Sequence, residues 1–396
     1  MGAIFNEAQR HLRHNTAVYR LGRTMDCALR NIPRCAGKRM ATAFAGRLPE
    51  HGTTFVVGAG PSLDATLPVF AAQRQGALVM ASNSSVGALL RHGITPDVLV
   101  TTEHVDLPNI EWSSAPVVVA SISAGEPSWQ AATHFFLQAD IWSNRVAWHL
   151  GCPPLMLAGN VTPSAVALAL EWGAERVVLI GCDMSYDLDR GKAYADGAAW
   201  GETRLHRTDK GLVFEHMLER QRAHQASGIM GIPSHHVALE LPGWGGSTVV
   251  TTHDFEMQIH ELQTLAAQYP GRQCINATGR GVSLEGWREV PIAELDPSEA
   301  ARVPDARVCT QEDVDVAVEQ LRNDARIARE VAEDEIKGGA GGKWIGMLGR
   351  SCFPFSVSTP EWLKLGDVVG VTVHNMSQAR FEVLRRAAVK IEEALG

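Results

Sequence analysis

Residues 55–64 read Phe-Val-Val-Gly-Ala-Gly-Pro-Ser-Leu-Asp, and this stretch decides the fold of the chain. A β-branched and aromatic run leads into a Gly-x-Gly turn at Gly58 and Gly60, and apolar residues at helical spacing follow it. Glycines allow a tight turn and close backbone approach to a ligand, and a helix N-terminus favours a phosphate. Ser62 either donates its hydroxyl to that ligand or caps the helix. The dinucleotide fingerprint is incomplete, because Leu63 occupies its third glycine position.

Strand and helix patterns alternate beyond this turn, which predicts an α/β fold. Strands are predicted at 54–57, 77–81, 98–102, 117–121, 154–157, 176–180 and 273–276. Helices are predicted at 63–73, 85–93, 162–172 and 255–269. The run Val177–Ile180 is apolar on both faces, as central strands covered by helices are. We therefore expect a mainly parallel sheet with helices on both faces.

Three regions are predicted along the chain. Residues 1–50 form a helical N-terminal segment, 51–302 form the sheet domain, and 303–396 form a helical C-terminal region. An insertion at about 191–246 has weak periodicity and several histidines. A metal-binding insertion or a lid is one interpretation, but the spacings match no zinc motif and favour ordinary loop histidines. The region after 303 is interrupted by a glycine run at 338–342. The helices before residue 50 and after 303 are candidates to hold either an acceptor or a second copy of the chain.

Composition excludes several classes of protein. The net charge of −8 argues against a nucleic-acid binder. The seven cysteines show no C-x-x-C pair, which argues against a zinc ribbon or a disulfide framework. No segment has the ~18 consecutive apolar residues of a membrane span, and the first residues do not resemble a signal peptide. We expect a cytoplasmic protein.

Polar or flexible residues follow five predicted strands. Ligands of open parallel sheets bind beyond the carboxyl ends of the strands, so these residues should share one rim. The segments are 58–62, 82–85, 101–104, 158–162 and 181–186. Such residues also form ordinary turns. Their presence after all five strands nevertheless favours a nucleotide or another ligand that carries phosphate.

Four blocks in this order resemble the Maf (motility-associated factor) glycosyltransferase-like family, whose core is also classed as MptE-like after a 6-hydroxymethylpterin diphosphokinase. The core is also similar to bacterial sialyltransferases that use CMP-sialic acid. The resemblance implies a Rossmann-like domain over roughly residues 40 to 295. The blocks are GAGPSLD (58–64), ASNSSVGALLRHGITPDVLVTTE (81–103), AGNVTPSAVALALEWGAERVVLIGCDMSYD (158–187), and GWGGSTVVTTHDFEMQIHEL (243–262) with INATGRGVSLEG (275–286).

The resemblance also implies site residues. It places Gly58, Gly60, Pro61 and Ser62 against the nucleotide and its phosphate, Asn83 and Glu103 against the donor, and Gly159, Asn160 and Thr162 near the base and ribose. Asp183, Tyr186 and Tyr194 would lie beside the departing phosphate, which two tyrosines steady in the sialyltransferases. The sialyltransferase base is a histidine, but residues 243–247 contain none. His253 is the candidate here, and a role as a surface or helix-start residue is the alternative.

Three functions stay open from the sequence. The first is transfer of a nonulosonic (sialic-, pseudaminic- or legionaminic-type) sugar from a CMP donor to a protein or glycan hydroxyl, with flagellin as one candidate acceptor. It requires no tightly bound cofactor. The second is pyrophosphate transfer from ATP to a hydroxymethylpterin, with Mg²⁺ held by Glu103, Asp106 and Asp183. The third is a nucleotide-binding scaffold without catalysis.

Overall fold

The computed structural model describes the chain from residue 24 onwards with several gaps. The described residues are 24–44, 51–74, 76–104, 107, 110–138, 146, 149–155, 160–215, 236–295, 302–336 and 376–395. Gly159, Asp106, His235 and the glycine run at 338–342 therefore lie outside the described residues. Within these ranges, no helix has the length and apolar character that crossing a membrane requires.

A ten-stranded sheet forms the centre of the molecule. Its strands are β1 (Arg39–Phe44), β2 (His51–Val57), β3 (Leu78–Ser82), β4 (Val98–Thr101), β5 (Val117–Ser121), β6 (His134–Phe136), β7 (Ala174–Ile180), β12 (Gln273–Asn276), β13 (Arg288–Glu289) and β14 (Ala306–Val308). Their order is β13-β12-β7-β2-β3-β4-β5-β6-β1-β14. Every neighbouring pair is parallel except β1 and β14, so the predicted mainly parallel sheet is confirmed.

Helices cover both faces of this sheet. They are α1 (Leu63–Gln73), α2 (Val86–Arg91), α3 (Glu126–Ala131), α4 (Val161–Glu171), α5 (His253–Gln268), α6 (Gln311–Ile336) and α7 (Met376–Leu395). Alternate residues of β2 face opposite sides: Phe55 and Val57 belong to the buried cluster that includes residues of α1, α6 and α7, whereas Val56 belongs to the cluster that includes residues of α4 and α5. This two-sided burial explains why the central strands are apolar throughout.

The terminal segments hold more than the predicted helices. β1 lies in the N-terminal segment and β14 in the C-terminal region, and the two strands pair at one edge of the sheet. These segments therefore extend the central sheet, a contribution that the sequence prediction missed. β14 has only three residues, which is too few to show a periodic pattern.

The insertion folds as two small hairpins over the described part of its length. Strands β8 (Leu205–Thr208) and β9 (Gly211–Phe214) form one, and β10 (Leu239–Pro242) and β11 (Thr248–Thr251) form the other. The segment before β8 lies over the carboxyl edge of the sheet, where the Ala195 N–H donates to the Ala59 carbonyl at 2.9 Å. The Ala199 N–H donates to the Ser84 carbonyl in the same way.

Candidate functional site

The topology reverses direction between two adjacent strands. From β2 the chain adds β3, β4, β5 and β6 on one side and then returns through α4 to β7 on the other side of β2. Such a switch point opens a crevice at the carboxyl ends of the strands, where ligands of open α/β sheets bind. The loops after β2, β7 and β12 meet here: Gly60 donates its N–H to the Gly181 carbonyl at 2.7 Å, and Val282 donates to the Asp183 carbonyl at 2.8 Å.

The side chain of Asp183, in the loop after β7, lies at the N-terminus of α1. Its buried carboxylate accepts the Ser62 N–H at 3.1 Å and the Ser62 hydroxyl at 2.7 Å. Burial raises the pKa of Asp183 to about 6, against the lowering effect of the bonds from Ser62 and the charge of Arg280. Ser62 is the N-cap of α1, but its hydroxyl does not cap the helix. The donors that the sequence analysis assigned to a phosphate therefore serve the Asp183 carboxylate here.

The glycines of the turn allow two loops to touch. A Cβ at Gly60 would lie 2.0 Å from Asp183 Oδ2 and 2.9 Å from the Gly181 carbonyl oxygen. A Cβ at Gly58 would lie 2.4 Å from the Gly181 oxygen. The backbone at these glycines thus approaches the loop after β7, whereas the sequence predicts close approach to a ligand. Contact of Gly58, Gly60, Pro61 and Ser62 with a nucleotide stays a prediction.

Charged side chains lie near the contact between Asp183 and Ser62. Asp187 is buried and accepts Arg190 Nε at 2.6 Å and Arg280 at 2.5 Å. Burial acts to raise the pKa of Asp187, but the hydrogen bonds from Arg190 and the charges of both arginines outweigh it and hold the pKa below its usual range. Lys192 binds Asp64 at 2.9 Å. No cation is predicted at the rim from the sequence, because these cations come from outside the glycine-rich turn.

Asn83 and Glu103 follow β3 and β4 on the same rim. The buried Asn83 amide donates to the Thr101 hydroxyl at 3.0 Å, and its oxygen accepts the Ser84 N–H at 2.9 Å. Both ends of the Asn83 amide therefore have protein partners. Glu103 is half-buried, and its charge acts on Tyr194. Their contact with a donor stays a prediction.

Two tyrosines predicted for the site lie beside it. The Tyr186 hydroxyl is 3.1 Å from the Thr252 hydroxyl, and its ring packs against Phe214 and Phe255. Burial raises the pKa of Tyr186, against the effect of the Thr252 bond. Burial, with the charges of Glu103 and Asp254, raises the pKa of Tyr194 to about 12. Both phenols are therefore hydrogen-bond donors at neutral pH.

His253 is the first residue of α5. Its Nδ1 lies 2.5 Å from Glu256 Oε2, and a carboxylate in that position holds an imidazole in one tautomer and orientation. Thr252, the preceding residue, contacts Tyr186. A second histidine, His236, lies 3.8 Å from Asp254 and edge-on to the Phe214 ring. From the sequence, His236 is one of the loop histidines of the insertion, since only tertiary packing brings it to α5.

Asn160 and Thr162 stand at the start of α4. The Asn160 carbonyl accepts both the N–H of Ser164 at 3.1 Å and its hydroxyl at 2.7 Å, and Thr162 is buried. Because α4 leads back to the start of β7, its first turn lies at the carboxyl edge with the other candidates. The described hydrogen bonds of these two residues do not reach Ser62 or Asp183. In the described part of the chain no three His, Cys, Asp or Glu side chains are grouped to hold a metal ion.

Comparison with known proteins agrees with this architecture. Residues 26–189 match the family model described as 6-hydroxymethylpterin diphosphokinase MptE-like. The solved structure of a Maf glycosyltransferase from Magnetospirillum magneticum AMB-1 is similar, with a TM-score of 0.56 and 13% sequence identity. The match covers 94% of this chain and 59% of that one, so this chain spans about three-fifths of that protein. No curated protein matches.

The two similarities concern different parts of the molecule. At this identity the Maf structure supports the fold, whereas the family model spans the Gly58–Ser62 turn and the Asp183–Asp187 loop. Residues 253 and 280 lie beyond the matched segment. The predicted resemblance to the Maf and MptE-like family is therefore confirmed, by the family model over residues 26–189 and by the Maf structure at the level of the fold.

Proposed function

We propose that this protein is a glycosyltransferase that moves a nonulosonic sugar from a CMP donor to the hydroxyl of a protein or glycan acceptor, with flagellin among the candidates. The carrying observation is that Asp183 and Tyr186 lie in one loop after β7, where Asp183 contacts Ser62, and that Tyr194 is close enough to Tyr186 to act on it electrostatically. Phenols beside a crevice suit a reaction in which negative charge grows on a departing phosphate.

The reaction follows from these groups. The acceptor oxygen forms a bond to the anomeric carbon of the sugar while the bond from that carbon to the CMP phosphate oxygen breaks, and CMP leaves. His253 takes the proton of the acceptor hydroxyl, with Glu256 holding its Nδ1. The Tyr186 hydroxyl, oriented by Thr252, donates to the phosphate as it departs. Positioning and electrostatic support supply most of the acceleration.

Titration calorimetry with CMP, CDP, ATP and GTP tests the donor class. We expect binding of the cytidine nucleotides in preference to the purine nucleotides. Absence of cytidine nucleotide binding would rule out the proposed donor. Tight binding without transfer from any CMP-activated nonulosonic sugar would instead support the scaffold reading.

Tyr186→Phe tests the role of the phenol. Loss of a donor that acts mainly in the transition state should lower kcat by about a hundredfold and change KM much less. Tyr269→Phe is the matched control, because its hydroxyl binds Glu171, at the far ends of α4 and α5 from the candidate site. Equal activity of the two variants would contradict the assignment.

Pyrophosphate transfer from ATP is the second candidate. The MptE-like match favours it, and the arginines and lysine at the rim supply the cations that phosphoryl transfer uses. An assay with ATP, Mg²⁺ and 6-hydroxymethylpterin decides between the two, since only the diphosphokinase forms AMP and the pterin diphosphate.

A further inference from the structure

The start of α1 is closed to a phosphate in this structure. Ser62 is buried, and both its N–H and its hydroxyl donate to Asp183. The insertion lies over the same turn through the bond from Ala195 to Ala59. A phosphate brought to that position would meet the Asp183 carboxylate, whose negative charge repels it. A ligand phosphate at the switch point therefore needs positive charge from another element.

The cationic side chains at the rim differ in how many of their N–H donors bind other protein groups. Lys192 binds Asp64 and Asp196, and 12% of its side chain is exposed. Arg190 binds Asp187 through Nε and the Pro61 carbonyl through a terminal nitrogen, and lies 3.6 Å from Asp64. Arg280 binds Asp187 through one terminal nitrogen, and 46% of its side chain is exposed. Among these described cations, Arg280 has the most donor capacity left for a ligand.

The loop that carries Arg280 is held rigidly against the Asp183 loop. Gly279 and Gly281 both have positive φ, of 76° and 88°, and a Cβ at Gly281 would lie 2.4 Å from the Asp183 carbonyl oxygen. The Val282 N–H donates to that same oxygen. A buried carboxylate, Asp187, then holds one terminal nitrogen of the guanidinium. The rest of this planar group, which suits bidentate contact with a phosphate, is partly exposed to solvent.

We infer that Arg280 binds the phosphate of the nucleotide donor and that Asp187 positions its guanidinium. This inference rests on the proposed function for the identity of the donor. It assigns a role to the Gly-Arg-Gly segment 279–281. The proposed phosphate position is thus the loop after β12, and not the N-terminus of α1 that the sequence predicts.

Calorimetry with CMP and cytidine tests the contact on the full chain. Arg280→Gln should weaken CMP binding by about tenfold to a hundredfold, as loss of a charge-assisted hydrogen bond does, and leave cytidine binding unchanged. It should also reduce the dependence of CMP affinity on salt concentration. Arg280→Lys keeps the charge without the planar group and should retain part of the affinity. Arg326→Gln, an exposed arginine paired with Glu330 on α6, is the matched control.

The outcomes separate this inference from the proposed function. Unchanged CMP affinity in Arg280→Gln would overturn the role of Arg280 and leave the CMP donor standing. Equal losses for CMP and cytidine would assign Arg280 a structural role and also overturn the inference. Binding of ATP in place of CMP, with loss of that binding in Arg280→Gln, would reject the CMP donor and support Arg280. Failure of the native chain to bind CMP, ATP, GTP and pyrophosphate would overturn both.

Discussion

At the scale of single residues, the site depends on how close two loops can come. Gly60 and Asp183 are in contact because Gly60 has no side chain, and that contact allows Asp183 to reach both donors of Ser62. The sequence predicts that the small size of Gly60 makes room for a ligand. The structure assigns it first to the protein's own carboxylate.

Gly60→Val should therefore destabilise the fold. The new side chain would overlap Asp183 and displace it from Ser62, at a cost of about 2–4 kcal/mol in the free energy of unfolding. Urea denaturation measures this cost. Gly271→Ala is the control, because a Cβ there meets no atom within 4 Å. Full stability of Gly60→Val together with loss of nucleotide binding would instead support the prediction that the Gly58–Ser62 turn contacts the phosphate of a nucleotide.

At the scale of elements, the loop after β7 contacts the N-terminus of α1, the helix that follows β2. The carboxylate of Asp183, beyond β7, binds the N-terminus of α1, which follows β2. This places a negative charge at the positive end of the helix dipole. Burial raises the cost of that charge, so the contact between the two elements depends on pH.

The pH dependence has a defined direction. The pKa of Asp183 is about 6 in the folded protein against an ordinary 3.8, so its stabilising contribution is complete below about pH 4 and falls as pH rises to about 6. The free energy of unfolding of the native chain, measured relative to Asp183→Asn, should therefore decrease over this window by an amount on the order of 3 kcal/mol. Urea denaturation at a series of pH values tests this. A difference that does not change with pH would contradict it.

At the scale of the whole molecule, the terminal segments and the sheet share one core. Ile32 from the N-terminal segment, Ala325 from α6 and Ile391 from α7 are buried in the same cluster as Phe55 of β2. His149 and Asp324 add a buried contact of 3.2 Å between α6 and the segment after β6. The terminal helices should therefore unfold together with the sheet.

Ala325→Glu tests this coupling. A carboxylate placed at a fully buried position should cost several kcal/mol, and if the core is shared, amide hydrogen exchange should accelerate in β2 and β7 as well as in α6. Arg326→Glu changes the exposed neighbouring residue and should leave sheet exchange unchanged. Faster exchange confined to the terminal helices would show that they form a separate cooperative unit.

Local signals in the sequence determined much of the fold. The apolar spacing of 63–73 and the runs at 117–121 and 273–276 predict elements that the structure reproduces with the same bounds. The polar strand ends predict a ligand site at one rim of the sheet, and that site stays a prediction. Periodicity did not reveal β1, β6 or β14; β6 and β14 have only three residues each, which is too few to show a periodic pattern.

The sequence by itself determined the α/β class, the strand–turn–helix at residues 55–73 and the resemblance to the Maf and MptE-like family. Tertiary structure alone decided which groups meet. Asp183 reaches Ser62 across 121 residues, and Arg280 reaches Asp187 across 93. Such pairs follow from the order of strands in the sheet, which places β2, β7 and β12 side by side. Local propensity contains no information about that order, because it depends on long-range burial of both faces of the sheet.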